Sequence, residues 1–94
     1  MTKEDILQFL RDKKEYLAHN FGVRSIGLFG SYVRGEATKE SDIDLVVDMP
    51  PSFDAYYDLK EFLEEAFKKP IDLGLKNSVR KFIYNKIEEE IIYA

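Results

Sequence analysis

Gly30-Ser31-Tyr32-Val33-Arg34-Gly35-Glu36-Ala37-Thr38-Lys39-Glu40-Ser41-Asp42-Ile43-Asp44 joins a Gly-Ser pair to an Asp-x-Asp pair across ten intervening residues. On its upstream side Val23 to Phe29 is short, apolar and partly β-branched, which predicts a buried strand broken by Gly30-Ser31. Ser31 is placed to cap a short helical turn that Gly35 ends, and the polar run Glu36 to Ser41 reads as a loop. Downstream, Asp42 to Asp48 forms a second strand. Asp42 and Asp44 are two apart on it, so their carboxylates project from one face while Ile43 points the other way.

Two carboxylates on one face can share hard cations. Leu45, Val46 and Val47 follow at once and root the pair at the end of a buried element instead of a loop. At the other end of the stretch, Gly30 lets the backbone approach a ligand closely. The Ser31 hydroxyl and the N–H groups of the turn after it can bond phosphate oxygens. A phosphate seat facing a site for two divalent cations about 4 Å apart suits an in-line displacement at phosphorus. A third carboxylate would complete it. Asp72 is the candidate, because it lies inside a third short strand, between Ile71 and Leu73, where a charged residue needs a reason. A strand-edge aspartate capping a neighbouring turn is the other reading of that position.

Outside this centre the periodicity is helical. Thr2, with Asp5 three residues on, has the form of an N-cap and acidic first turn, and Ile6, Leu7, Leu10, Tyr16 and Leu17 mark a helix from about Lys3 to His19, ended by Asn20-Phe21-Gly22. After Pro50-Pro51-Ser52, the residues Leu59, Phe62, Leu63, Ala66 and Phe67 predict an amphipathic helix over about Phe53 to Lys68. Pro70 opens the third strand, Ile71 to Leu75. Ser78 is a plausible cap for a last helix carrying Val79, Phe82, Ile83 and Ile87, and Ile91-Ile92-Tyr93 reads as an edge strand. The expected fold is α/β: one domain over residues 1–94, with a small mixed sheet of three or four strands covered by helices on one side.

Composition narrows the function. The chain has 94 residues, 45% hydrophobic and 34% charged, with five Gly and three Pro, as in an ordinary folded domain near the small end of what holds a core. It has no cysteine, which excludes disulfides and thiolate zinc sites. The start of the chain lacks the pattern of a signal peptide and no stretch is long enough to span a membrane, so a soluble, cytoplasmic protein is expected. A formal charge of −4 argues against unaided binding to long nucleic acid. The basic run Lys76 to Lys86, with Arg80 and Lys81, is the local exception, and reads equally as a solvated helix face.

The Gly-Ser, ten-residue gap and Asp-x-Asp pattern with a later strand aspartate resembles the DNA polymerase beta nucleotidyltransferase superfamily, and within it the minimal nucleotidyltransferase branch. The wording Gly30 to Ala37 and Ser41 to Leu45 carries the likeness, which runs from about Val23 to Leu75 with no departure from the motif. The resemblance implies a nucleotidyltransferase fold. It also implies that Gly30 and Ser31 bind the triphosphate of ATP, and that Asp42, Asp44 and Asp72 bind two Mg²⁺ ions and act catalytically. It further implies an antitoxin of a toxin–antitoxin module, paired with a HEPN-domain ribonuclease toxin whose tyrosine receives AMP. A core this small has no room for an acceptor domain, so a protein substrate or an oligomer is expected to supply that surface. Two rivals stand beside it: a binding module that neutralises its toxin by covering it, and an enzyme acting on tRNA or a small molecule. Arg34 can be read as a phosphate ligand, a partner contact or a solvated side chain. His19 reads as helix-terminal, and Tyr56, Tyr57 and Tyr93 as packing or interface residues.

Overall fold

Capping, strand pairing and one apolar face account for most of the architecture in the computed structural model, which describes residues 1–76 and 89–94. The Thr2 hydroxyl accepts from the Asp5 amide at 3.2 Å and the Asp5 carboxylate accepts from the Thr2 amide at 2.9 Å, a reciprocal capping box that starts α1, Lys3–Asp12. The single helix expected to reach His19 is instead two: Lys13 leaves helical geometry and α2 runs Lys14–Phe21. No apolar residue stands between Leu10 and Tyr16, so nothing on the core side holds the axis straight through Arg11–Glu15. After the bend Leu17 enters the core, and Tyr16 and Phe21 pack on Phe62 with ring centroids 5.1 and 5.8 Å apart. His19 lies in the last turn of α2.

The strands are β1, Ser25–Phe29; β2, Ile43–Asp48; β3, Ile71–Leu75; and β4, Ile92–Tyr93. They form one four-stranded mixed sheet in the order β3-β2-β1-β4, with β2 antiparallel to β1 and parallel to β3. The short α3, Ser31–Arg34, follows β1, and α4, Phe53–Phe67, connects β2 to β3 under a Ser52 cap. Ser31 is the first residue of α3 and not its cap; Gly30 holds that position, with no side chain to cap with. Gly35 ends α3 in the left-handed conformation. The last helix expected from Ser78, and Arg80, Lys81 and Lys86, lie outside the described residues.

Alternation divides the sheet. Ile26, Leu28, Ile43, Leu45, Val47, Ile71 and Leu73 share a face and pack into the core with Ile6, Leu10, Leu17, Leu59 and Leu63. The opposite face carries Gly27, Phe29, Asp44, Val46, Asp72 and Gly74. The Tyr56 hydroxyl donates to the Leu73 carbonyl, bringing an α4 side chain onto edge strand β3. Among the described residues no helix is long and apolar enough to cross a membrane.

Candidate active site

Strand register brings two of the carboxylates together. Phe29 of β1 pairs with Asp44 of β2, and Asp44 pairs with Asp72 of β3, so Asp44 stands between the Gly30 turn and Asp72 although the two aspartates are far apart in sequence. Asp42 lies just before β2 rather than inside it, because ladder pairing there begins at Ile43, whose amide donates to the Pro70 carbonyl at 3.1 Å. Asp42 and Asp72 are exposed and Asp44 is half-buried.

The electrostatics follow from that placement. Burial, then the charges of Asp72 and Asp42, then a hydrogen bond shared with Asp72, push the Asp44 carboxyl up from 3.8 to about 6, and Arg34 partly opposes them. Hard oxygen donors crowded enough to repel one another are chemically fitted to a divalent cation, which would relieve the crowding. Among the described residues no three acidic or imidazole groups are drawn tightly enough around one point to hold an ion as they stand.

Gly30 adopts φ 80°, ψ −151° and packs against Asp44: a Cβ here would overlap Asp44 Oδ2 and lie 2.9 Å from its Cγ. Ser31 follows at the first position of α3, half-buried. The structure thus gathers Gly30, Asp44 and Asp72 around one point, sets Ser31 next in chain to it, and places Asp42 within electrostatic reach. Arg34 pairs with Glu36 at 3.3 Å and with Glu90 at 3.2 Å. Glu90 was not legible as part of this site, since an acidic residue before a C-terminal strand carries no signal of where its side chain goes. Gly27 was missed as well. A Cβ there would meet Ile91 Cγ2 at 2.5 Å, so the glycine makes room for the C-terminal segment, and a glycine inside an apolar strand was the available clue.

One pH prediction arises here. A raised carboxyl pKa means the folded state holds the proton more tightly than the unfolded state does. The resulting stability is complete below about pH 4 and lost as pH rises through about 6. Asp44→Asn removes the charge that causes this loss, so without divalent ions the variant should be more stable than the wild type at pH 8. We expect about 1 kcal/mol once solvent screening of the half-buried group is allowed for, with the advantage gone by pH 4. Thermal melts across pH in EDTA check this, and equal melting temperatures at pH 8 would contradict the crowding.

Comparison with known proteins addresses the family and the fold. The sequence profile of the family described as Nucleotidyltransferase domain matches residues 10–94. The protein adenylyltransferase MntA of Thermococcus cleftensis is 41% identical over 96 residues, covering 100% of this chain and 97% of that protein. A solved structure assigned to a minimal nucleotidyltransferase superposes with a TM-score of 0.74 at 26% identity, over 92% of this chain and 93% of the other. A toxin–antitoxin crystal structure containing AMP-PNP gives a TM-score of 0.71 at 24% identity, over 87% of this chain and 69% of that one, and shares the fold.

Proposed function

Because the chain belongs to the nucleotidyltransferase domain family, and is an enzyme of that class, we propose that it transfers AMP from ATP to a tyrosine of a cognate HEPN-domain toxin and so acts as the antitoxin. The observation that carries this reading is the Asp44–Asp72 pairing across β2 and β3 beside the Gly30 turn. Its support from relatives is the adenylyltransferase name of the Thermococcus protein, matched along almost its whole length. The toxin–antitoxin structure with AMP-PNP supports the partner and nucleotide by fold likeness.

In this reading Asp42, Asp44 and Asp72 hold Mg²⁺, which when bound neutralises charge on the transferring phosphoryl group. The Gly30 amide and the Ser31 hydroxyl orient the triphosphate. Asp72, exposed on the edge strand, would take the proton of the attacking hydroxyl. The acceptor comes from outside in this reading: among the described residues a cavity of about 350 Å³ is lined by Pro51, Phe53, Tyr56, Tyr57 and Leu75 and not by the carboxylates. Phe53 and Tyr57, 81% and 56% exposed, stack on each other there, a surface a protein acceptor could cover. Asp42 and Asp72, both exposed, favour a protein substrate over a small one.

The test is incubation with ATP, Mg²⁺ and a purified HEPN-domain toxin, followed by intact mass measurement. One added adenylate on a toxin tyrosine, lost with EDTA, is the expected result. A toxin that stays unmodified yet is silenced by stoichiometric binding would replace the transferase with a covering module.

A further inference from the structure

The Lys69 ammonium donates to the Lys39 carbonyl at 2.8 Å and lies 5.9 Å from the centroid of the buried Tyr32 ring. Lys68, the left-handed C-cap of α4, comes just before it in the chain. These groups border a cavity of about 540 Å³ that Tyr32, Thr38, Lys39, Lys68 and Lys69 line and no described acidic residue does. Among the described residues no carboxylate forms an ion pair with any of the three lysines. Like charges gathered without a counter-ion, in a chain whose formal charge is −4, cost free energy that an anionic ligand would recover. The cavity also adjoins the candidate active site. Lys39 is three residues ahead of Asp42 and Lys69 three ahead of Asp72, and the Ile43 amide donates to the Pro70 carbonyl at 3.1 Å, so the two segments enter β2 and β3 together. Three residues of chain reach at most about 10 Å. A peptide held on these lysines therefore needs only a few residues to reach the aspartates.

We propose that this cavity docks an acidic stretch of the protein acceptor, a short run of Asp or Glu lying within a few residues of the hydroxyl that receives the nucleotide. The inference rests on the transferase reading above and adds to it what the acceptor must carry. Lysine ammonium groups are compact point charges on flexible stems, so they meet separate carboxylates one by one and need no planar fork to match. An oligonucleotide suits the place less. Its charge is unbroken, and its backbone would continue over the exposed Glu36 and Glu40, which flank the lining residues in sequence, and over Asp42 and Asp72. An acidic run can stop short of the acceptor hydroxyl, which leaves its charge on the lysines and none on the aspartates. The two segments that lead into the candidate catalytic carboxylates then also select the acceptor.

Fluorescence anisotropy with two labelled tyrosine peptides, one with a run of Glu beside the tyrosine and the other with Gln at the same positions, tests this on the full chain with Mg²⁺ and a non-hydrolysable ATP analogue. The wild type should bind the Glu peptide about tenfold more tightly at low salt, with the difference shrinking as salt rises. Lys39→Gln/Lys68→Gln/Lys69→Gln should erase the difference. Lys39→Gln/Lys68→Gln keeps the Lys69 contacts with Tyr32 and the Lys39 carbonyl, should reduce the difference to about threefold, and decides the matter if circular dichroism shows the triple variant unfolded. Equal binding of the two peptides by the wild type, or an undiminished preference in the folded variants, overturns the docking site. An oligouridylate that binds more tightly than the Glu peptide, and is lost in the same variants, overturns it in favour of nucleic acid. The toxin assay described above separates the two failures. A wild type that adenylylates the toxin but ignores peptide charge loses the docking site alone, whereas one that transfers nothing loses the transferase reading, and this inference with it.

Discussion

Changing Asp42 and Asp44 together to Asn is expected to abolish nucleotidyl transfer, by roughly a thousandfold or more, while leaving the fold and partner contact intact. The fold survives because neither residue is in the apolar core: Asp42 is exposed ahead of β2, and Asp44 is on the sheet face opposite Leu45 and Val47. Removing two of three repelling carboxylates relieves the crowding that lifts Asp44 to about 6. On the proposed reading transfer fails because Asp72 alone would not anchor the cations that assist in-line displacement. Circular dichroism should match the wild type and the partner should still co-purify. Residual transfer within tenfold of the wild type would remove these residues from the catalytic centre. In cells that carry the toxin, protection by the double variant would favour the covering module.

Gly30→Ala should cause the second large effect, this time on stability. At φ 80°, ψ −151° the backbone occupies a region essentially restricted to glycine, and the new methyl would overlap Asp44 Oδ2. Backbone strain and displacement of Asp44 together should cost about 2–3 kcal/mol, a fall in melting temperature of about 10–20 °C for a domain of this size. Gly35→Ala is the control. Gly35 also has positive φ, 74°, but nothing lies within 4 Å of a Cβ there, so only the milder left-handed penalty applies. Equal losses at the two positions would show that Gly30 is not pressed against the carboxylate. The two experiments probe the same contact from opposite sides, one by charge and one by volume.

Local chemistry was legible wherever one element's own residues decide it. The Thr2–Asp5 box, the start of α4 after Pro50-Pro51-Ser52, and the bounds of β3 follow from residues within a turn or two of one another. The spacing of Gly30-Ser31 from Asp42-x-Asp44 identified the family, later matched over residues 10–94. The bend at Lys13 was not legible, because a polar run is equally compatible with one helix or two until Phe62 offers a surface for Tyr16 and Phe21.

What the sequence by itself determined, then, is which residue types stand at which spacing: alternation that sends Asp44 away from Leu45, and a glycine at the end of β1. Only the tertiary structure decided which distant groups meet. Parallel pairing of β3 on β2 brings Asp72 beside Asp44, and antiparallel pairing of β4 on β1 delivers Glu90 to the Gly30 amide. The physical reason is that side-chain periodicity is fixed by the backbone over a few residues, whereas register between strands is set by the packing of whole faces, Ile43 and Leu45 against Ile71 and Leu73 among them.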